Sequence, residues 1–180
     1  RLVLFSIGFF FFAIGLSRPQ IGAKLKEHET KGAEIMIVLD VSNSMLAEDY
    51  SPNRLERAKL AISRLVDKLR EDRIGLIVFA GNSFVQLPIT TDYVSAKMFL
   101  NSISTESVPV QGTAIGEAIN TAVRSFSAQS EKSRAVIVIT DGENHEDDPV
   151  AAAQQAAELG VRVFTIGVGS PEGKPIPMDG

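Results

Sequence analysis

The sequence VLDVSNSMLAEDY, residues 38–50, places one aspartate and two serines at alternate positions directly after an apolar run. In extended or looping backbone, alternate side chains point the same way, so Asp40, Ser42 and Ser44 can converge. A second aspartate, Asp141, follows the apolar run AVIVIT, and Thr113 lies in the segment QGTAIGEAI, at the expected start of a helix. Together these five side chains offer only oxygen atoms.

Two carboxylates and three hydroxyls are a ligand set that suits a hard divalent cation. Mg²⁺ prefers oxygen ligands in octahedral geometry and keeps some of its water, whereas zinc and copper favour nitrogen or sulfur. Hydroxyls are weak neutral ligands, so the ion would stay electrophilic and could accept one more anionic oxygen. We therefore expect Mg²⁺ or Mn²⁺ at this site, with an acidic residue of a protein partner as the additional ligand.

The composition removes several other kinds of site. The chain of 180 residues contains no cysteine, which excludes disulfides, zinc thiolates and cysteine nucleophiles. Its formal net charge of −4 argues against nucleic acid as a partner. The two histidines are separated, because His28 lies in a polar linker and His145 in an acidic stretch, and no third soft ligand for zinc accompanies them.

An enzyme is less well supported than a binding module. A phosphotransferase with an aspartate nucleophile would need a second acid two residues after Asp40, where the chain has Ser42. A serine hydrolase would need a base, and neither a nucleophile elbow nor a glycine-rich phosphate loop with lysine occurs in the sequence. We expect no turnover of a substrate. Two alternatives stay open: a metal-dependent phosphoesterase, and a structural subunit whose site holds no metal.

Strand-like and helix-like segments alternate along most of the chain. Runs such as AEIMIVLDV and RAVIVITDGE are typical of strands buried on both faces, and Pro88 favours an edge position for the strand SFVQLPIT. The alternation predicts an α/β fold: a three-layer, doubly wound, mostly parallel sheet with helices on both faces. In such sheets ligands bind beyond the carboxyl ends of the strands, where Asp40 and Asp141 are expected.

Capping residues predict where two of the helices begin. Ser51 can cap the helix that follows the first strand, and Pro52 suits its first position. For the last helix, Asp148 is the expected cap, Pro149 the first residue and Gly160 the end.

The first segment is expected to lie outside the globular fold. Residues 2–16 are uncharged and apolar and include four consecutive phenylalanines. A membrane span needs about 20 such residues, and on a soluble surface this run would favour aggregation. We expect residues 1–18 to be the truncated end of a transmembrane helix, 19–32 a juxtamembrane linker and 33–180 the globular domain. A signal peptide and a buried core helix are the alternatives.

The motifs DVSNS, QGT and TDGE, in this order between strands and helices, resemble the von Willebrand factor type A (VWA) domain. That family carries a metal-ion-dependent adhesion site (MIDAS), built from D-x-S-x-S with a distant threonine and a distant aspartate. The resemblance implies a Rossmann-like VWA domain over 33–180 that is incomplete at its C terminus, because the family fold has a further strand and helix. It also implies a set of metal-binding residues: Asp40, Ser42, Ser44, Thr113 and Asp141.

A closer resemblance is to the membrane-anchored bacterial aerotolerance (Bat) proteins. It depends on the apolar first segment, on SRPQIG, and on the stretches VLDVSNSMLAEDYSPNRLERAK and GLIVFAGNSFVQLPIT. It implies a place in the bacterial inner membrane with the domain on the periplasmic or external side. The family is associated with operons that encode MoxR-type AAA+ ATPases, so such an ATPase and other Bat-type membrane proteins are the expected partners in a membrane complex.

Residues beside the five candidates receive less specific roles. Residues 45–50 would form the rim that a partner contacts, although Glu48, Asp49 and Tyr50 taken singly are ordinary loop residues. Thr140 is expected to belong to its strand rather than to bind metal. Residues 82–83 follow a strand end and could line the same crevice. The acidic stretch 143–148 lacks the alternation of an EF-hand loop and is expected to be a solvated loop.

Overall fold

The computed structural model describes residue 6 and residues 32–127, 130–143, 146–170 and 176. The expected transmembrane helix and linker, residues 1–32, therefore lie outside the described residues except for Ser6 and Gly32. In the part of the chain that the structure describes, no helix has the length and apolar character needed to cross a membrane.

Strands and α-helices alternate as the sequence predicted. The strands are β1 (Ala33–Asp40), β2 (Arg73–Phe79), β3 (Ser83–Thr90), β4 (Ser133–Thr140) and β5 (Val161–Gly167). The α-helices are α1 (Arg54–Val66), α2 (Tyr93–Ser102), α3 (Ile115–Ser125) and α4 (Pro149–Glu158). Two short 3-10 helices cover Asn43–Leu46, after β1, and Thr105–Ser107, after α2.

The five strands form one sheet in the order β3-β2-β1-β4-β5. β1 pairs in parallel with both β2 and β4, and β4 pairs in parallel with β5, whereas β3 runs antiparallel to β2 at the sheet edge. This arrangement confirms the mostly parallel α/β fold and the edge position of the strand that contains Pro88. From β1 the chain continues to β2 on one side of the sheet centre, and from β4 it continues to β5 on the other. The carboxyl end of β1 therefore lies at the switch point where α/β sheets bind ligands.

Two apolar layers hold β1 in the middle of the molecule. Ile37 and Leu39 belong to the core cluster shared with α1 and α2, whereas Met36 and Val38 belong to the cluster shared with α3 and α4. All four side chains are fully buried. Complete burial of such a side chain contributes about 1.5–3 kcal/mol, so the packing on both faces fixes the position at which β1 ends.

The helix starts were predicted correctly for α4 and wrongly for α1. Asp148 caps α4, Pro149 is its first residue, and Gly160 follows its end with a positive φ of 73°. In α1 the cap is Asn53, whose side chain accepts a hydrogen bond from the Glu56 amide at 2.8 Å, and not Ser51. Asn is as good a cap as Ser, so the sequence alone did not separate the two positions.

Candidate metal centre

Asp40 is the last residue of β1, and it is fully buried. Its Oδ1 accepts hydrogen bonds from the Ser42 amide at 2.9 Å and the Ser42 hydroxyl at 2.6 Å, and its Oδ2 accepts one from the Thr140 hydroxyl at 2.6 Å. Burial raises the pKa of the Asp40 carboxyl above its ordinary value, while these hydrogen bonds oppose the rise by favouring the charged form. A charge buried in this way is stabilised by a nearby cation.

The two serines lie beside the Asp40 carboxylate. The 3-10 helix Asn43–Leu46 turns the chain after Ser42, and the hydroxyl oxygens of Ser42 and Ser44 are 3.0 Å apart. Both residues are buried. The alternate positions therefore converge as the sequence predicted. Neighbouring ligands of an octahedral Mg²⁺ ion are also about 3 Å apart, because each oxygen lies about 2.1 Å from the metal.

Thr140 belongs to its strand, as expected, and its hydroxyl also contacts Asp40. It is the last residue of β4 and is buried. Its hydroxyl donates to Asp40 and accepts a hydrogen bond from the Gly142 amide at 3.1 Å. The β1–β4 register, which pairs Leu39 with Ile139, brings the two side chains together one residue later.

Asp141 follows β4 directly and is paired with a cation that sequence reasoning missed. Its side chain is only 2% exposed, and its Oδ2 accepts a hydrogen bond from Arg54 Nη1 at 3.0 Å. The same guanidinium binds Asp49 through Nε and Nη2, each at 2.9 Å from a carboxylate oxygen. The only signal in the sequence was an arginine in the first turn of the helix that follows D-x-S-x-S. Arg54 thus links Asp49 to Asp141.

Asp49 was expected on the rim that a partner contacts, and that interpretation is wrong. Its side chain is 1% exposed, and its Oδ2 accepts a further hydrogen bond from the Ser170 amide at 2.7 Å. The hydrogen bonds from Arg54 are the main cause that lowers the pKa of Asp49 from 3.8 to about 2. The residue was misplaced because an aspartate in a polar loop gives no indication of a buried partner 5 residues later.

Asp49→Asn is expected to destabilise the domain at neutral pH but not at pH 2. The folded-state pKa is depressed, so the stabilising contribution of this carboxylate is present above pH 3.8 and is lost as the pH falls through about 2. Urea unfolding of both proteins at several pH values between 2 and 7 measures this as a difference in unfolding free energy that shrinks with acidity. A difference independent of pH would contradict the assignment.

Thr113 lies in a loop that is tied to two neighbouring parts of the site. Its neighbour Ala114 donates a backbone hydrogen bond to the Ala80 carbonyl at 2.8 Å, beyond the end of β2. On its other side, Gln111 Oε1 accepts a hydrogen bond from the Asn43 amide at 3.1 Å. Thr113 is buried. The loop is therefore brought to the edge where the serines lie.

Thr113 does not cap α3. The helix begins at Ile115, so the capping position belongs to Ala114 and not to Thr113, and Ala114 offers no side-chain acceptor. Asp147 supplies the side-chain acceptor instead, because its Oδ2 accepts a hydrogen bond from the Glu117 amide at 2.7 Å. The acidic stretch is therefore not purely solvated, because Asp147 contacts the first turn of α3 and Asp148 caps α4.

The residues fit a hard cation rather than a metal held by several acids. Among the described residues, no group of three or more Asp, Glu, His or Cys side chains is arranged to hold a metal ion. The candidate set instead combines two buried carboxylates with hydroxyl oxygens, and at Ser42 and Ser44 the spacing suits neighbouring ligands. Asp141 is the exception, because Arg54 already neutralises part of its charge.

Comparisons with known proteins agree with the fold. The family model of the von Willebrand factor type A domain matches residues 35–143. The crystal structure of the conserved hypothetical protein BatB from Bacteroides thetaiotaomicron is 63% identical, with a TM-score of 0.80, over 83% of this chain and 73% of that one. An aerotolerance-related membrane protein from Bacteroides fragilis, carrying multiple mutations to serines, is 59% identical, with a TM-score of 0.79, over 83% and 74%.

A more distant match shows the fold alone. Proximal thread matrix protein 1 from the mussel byssus, solved with zinc in its MIDAS motif, is 23% identical, with a TM-score of 0.67, over 77% of this chain and 36% of that one. The chain spans about half the length of the curated relatives it matches, 47% and 50% of two of them. From the family match and the two Bacteroides structures, the chain belongs to the von Willebrand factor type A family and contains a BatB-like domain of it.

Proposed function

We propose that this domain binds Mg²⁺ or Mn²⁺ and uses the ion to bind an acidic residue of a protein partner, without turning over a substrate. The observation that carries the proposal is the fully buried Asp40 carboxylate with the paired serine hydroxyls beside it, 3.0 Å apart. Buried charge of this kind is stabilised when a cation is near.

Each residue of the set has a part in holding the ion. Ser42, Ser44 and Thr113 would coordinate it or orient its water, and Asp40 and Asp141 would supply negative charge, directly or through water. When bound, the ion supplies an electrophilic centre that can accept a carboxylate. The zinc in the MIDAS motif of the mussel protein supports metal binding as a property of such domains, although that ion is not the one proposed here.

The proposed setting is a complex in the bacterial inner membrane, with the domain on the periplasmic or external side. The description of the Bacteroides fragilis relative as an aerotolerance-related membrane protein supports the membrane location. The proposed partners are other Bat-type membrane proteins and a MoxR-type AAA+ ATPase. The acidic residue that reaches the ion would belong to one of these proteins.

A metal-free structural subunit is the second candidate, and one observation favours it. Arg54 lies 3.0 Å from Asp141 and already supplies this carboxylate with a positive charge. In that case the hydroxyls and Asp40 would only brace the sheet edge, and the partner would bind regardless of divalent ions.

Two measurements decide between the candidates. The purified chain, stripped with EDTA, is titrated with MnCl₂ by calorimetry; we expect one site from which MgCl₂ displaces Mn²⁺. A pull-down from bacterial membranes is then run with Mg²⁺ or with EDTA, and the partner is expected only with Mg²⁺. Absence of binding by either ion would sink the proposal, and a partner retained in EDTA would favour the metal-free subunit.

A further inference from the structure

We propose that Arg54 and Asp49 form a buried ion pair in which Asp49 compensates the positive charge beside the candidate metal site. Asp49 neutralises Arg54, whose guanidinium lies 3.0 Å from Asp141, so that this positive charge does not repel the ion. Neither residue touches the metal in this scheme. The inference rests on the proposed function, because it concerns how strongly the same site holds its ion.

The contacts of Arg54 are unequal. Its guanidinium makes hydrogen bonds of 2.9, 3.1 and 2.9 Å with the Asp49 carboxylate, but a single one of 3.0 Å with Asp141. A planar guanidinium that binds one carboxylate through two of its nitrogens is held in a fixed orientation. Asp49 therefore compensates most of the guanidinium charge, while the remaining nitrogen, Nη1, binds Asp141.

Asp49 is itself fixed, so the pair cannot easily turn away from the site. Its Oδ2 accepts a hydrogen bond from the Ser170 amide at 2.7 Å, in addition to the hydrogen bonds from Arg54. The segment that supplies this amide is held in turn, because the Val168 amide donates to the Thr140 carbonyl at 2.9 Å. The side chains of Arg54, Asp49 and Asp141 are 11%, 1% and 2% exposed.

The burial makes the charge of Arg54 matter to an ion at the site. A divalent cation held by Asp141, directly or through water, would lie only a few ångströms from the guanidinium, and unscreened like charges at such a distance repel strongly. The carboxylate of Asp49 cancels most of this repulsion. Without Asp49, an uncompensated cation would compete with the metal for Asp141.

A double-mutant cycle tests the pair. Wild type, Asp49→Asn, Arg54→Gln and the double variant are titrated with Mn²⁺ in low salt, and their thermal unfolding is measured in EDTA. We expect Asp49→Asn to weaken Mn²⁺ binding about ten-fold, Arg54→Gln to bind at least as tightly as wild type, and the double variant to match Arg54→Gln. The loss in Asp49→Asn should shrink as salt is raised. Arg57→Gln, which removes an exposed arginine one turn later, is the matched control and should bind as wild type does.

The outcomes separate this inference from the proposed function. If wild type binds no ion, the proposed function and the pair fail together. If wild type binds and Asp49→Asn binds equally well, only the pair fails. If Asp49→Asn weakens Mn²⁺ binding as much in the Arg54→Gln background as in wild type, the role of Asp49 is purely structural. That result would also overturn the pair. If Asp49→Asn does not unfold cooperatively in EDTA, Asp49→Ser replaces it in the cycle. This variant also removes the carboxylate and should bind Mn²⁺ about ten-fold more weakly than wild type, and equal affinities would overturn the pair.

Discussion

Asp40→Asn is expected to weaken the binding of Mg²⁺ or Mn²⁺ by about 100-fold or more while the domain stays folded. A unit charge about 4 Å from a divalent ion contributes several kcal/mol even at an effective dielectric constant of about 20, and this contribution is lost with the carboxylate. The second carboxylate of the set, Asp141, cannot fully replace it, because Asp141 is already shared with Arg54.

The amide is chosen because it preserves the local hydrogen bonds. Its oxygen can still accept from the amide and hydroxyl of Ser42, and its nitrogen can donate to the hydroxyl oxygen of Thr140. A neutral amide is also easier to bury than a carboxylate, so unfolding in EDTA should occur at no lower temperature than in wild type. An alanine would instead leave three buried donors without an acceptor.

Calorimetric titration and thermal unfolding together measure the effect. An ion present at 100 times its dissociation constant stabilises the wild type by about 2.7 kcal/mol, and Asp40→Asn should show no such rise in unfolding temperature. Asp67→Asn is the matched control, since it changes an exposed carboxylate that pairs with Lys97 at the end of α1. Equal metal affinity of Asp40→Asn and wild type would rule out the site.

The residues that sequence reasoning found and those it missed differ in how their positions are determined. Asp40 and Asp141 were predicted because one ends an apolar strand and the other directly follows one, and the ends of parallel strands meet at one sheet edge. Thr140 was missed because its contact with Asp40 depends on the register of β1 against β4, which no local pattern encodes.

The same distinction explains Arg54 and Gln111. The pairing of Arg54 with Asp141 spans 87 residues, and that of Gln111 with Asn43 spans 68. Both depend on the path of a loop over the sheet edge. The short-range contact of Arg54 with Asp49 was also unpredictable, because it requires the helix to begin at Arg54 with Asn53 as its cap. Polar contacts that depend on the path of a loop or on the residue at which a helix begins are thus the part of this site that the sequence leaves open.

Thr140→Val is expected to lower the unfolding free energy by about 2–3 kcal/mol in EDTA. Valine keeps the shape of threonine but removes the hydroxyl that donates to Asp40 Oδ2 at 2.6 Å and accepts from the Gly142 amide at 3.1 Å. Hydrogen bonds to charged groups contribute about 1.5–3 kcal/mol, and a buried carboxylate oxygen that loses its donor is costly. The expected loss of unfolding free energy is therefore large for the replacement of one hydroxyl by a methyl group.

The same substitution should also weaken Mn²⁺ binding by about ten-fold, because groups that orient a metal ligand typically change affinity by 10–100-fold. Urea unfolding in EDTA and a Mn²⁺ titration of the same protein measure the two effects separately. Thr165→Val, the same change at an exposed position of β5, is the control and should alter neither quantity appreciably. If Thr140→Val were as stable as the control and bound Mn²⁺ as tightly, the Thr140 hydroxyl could not be holding Asp40. The buried geometry on which the metal site depends would then have to be abandoned.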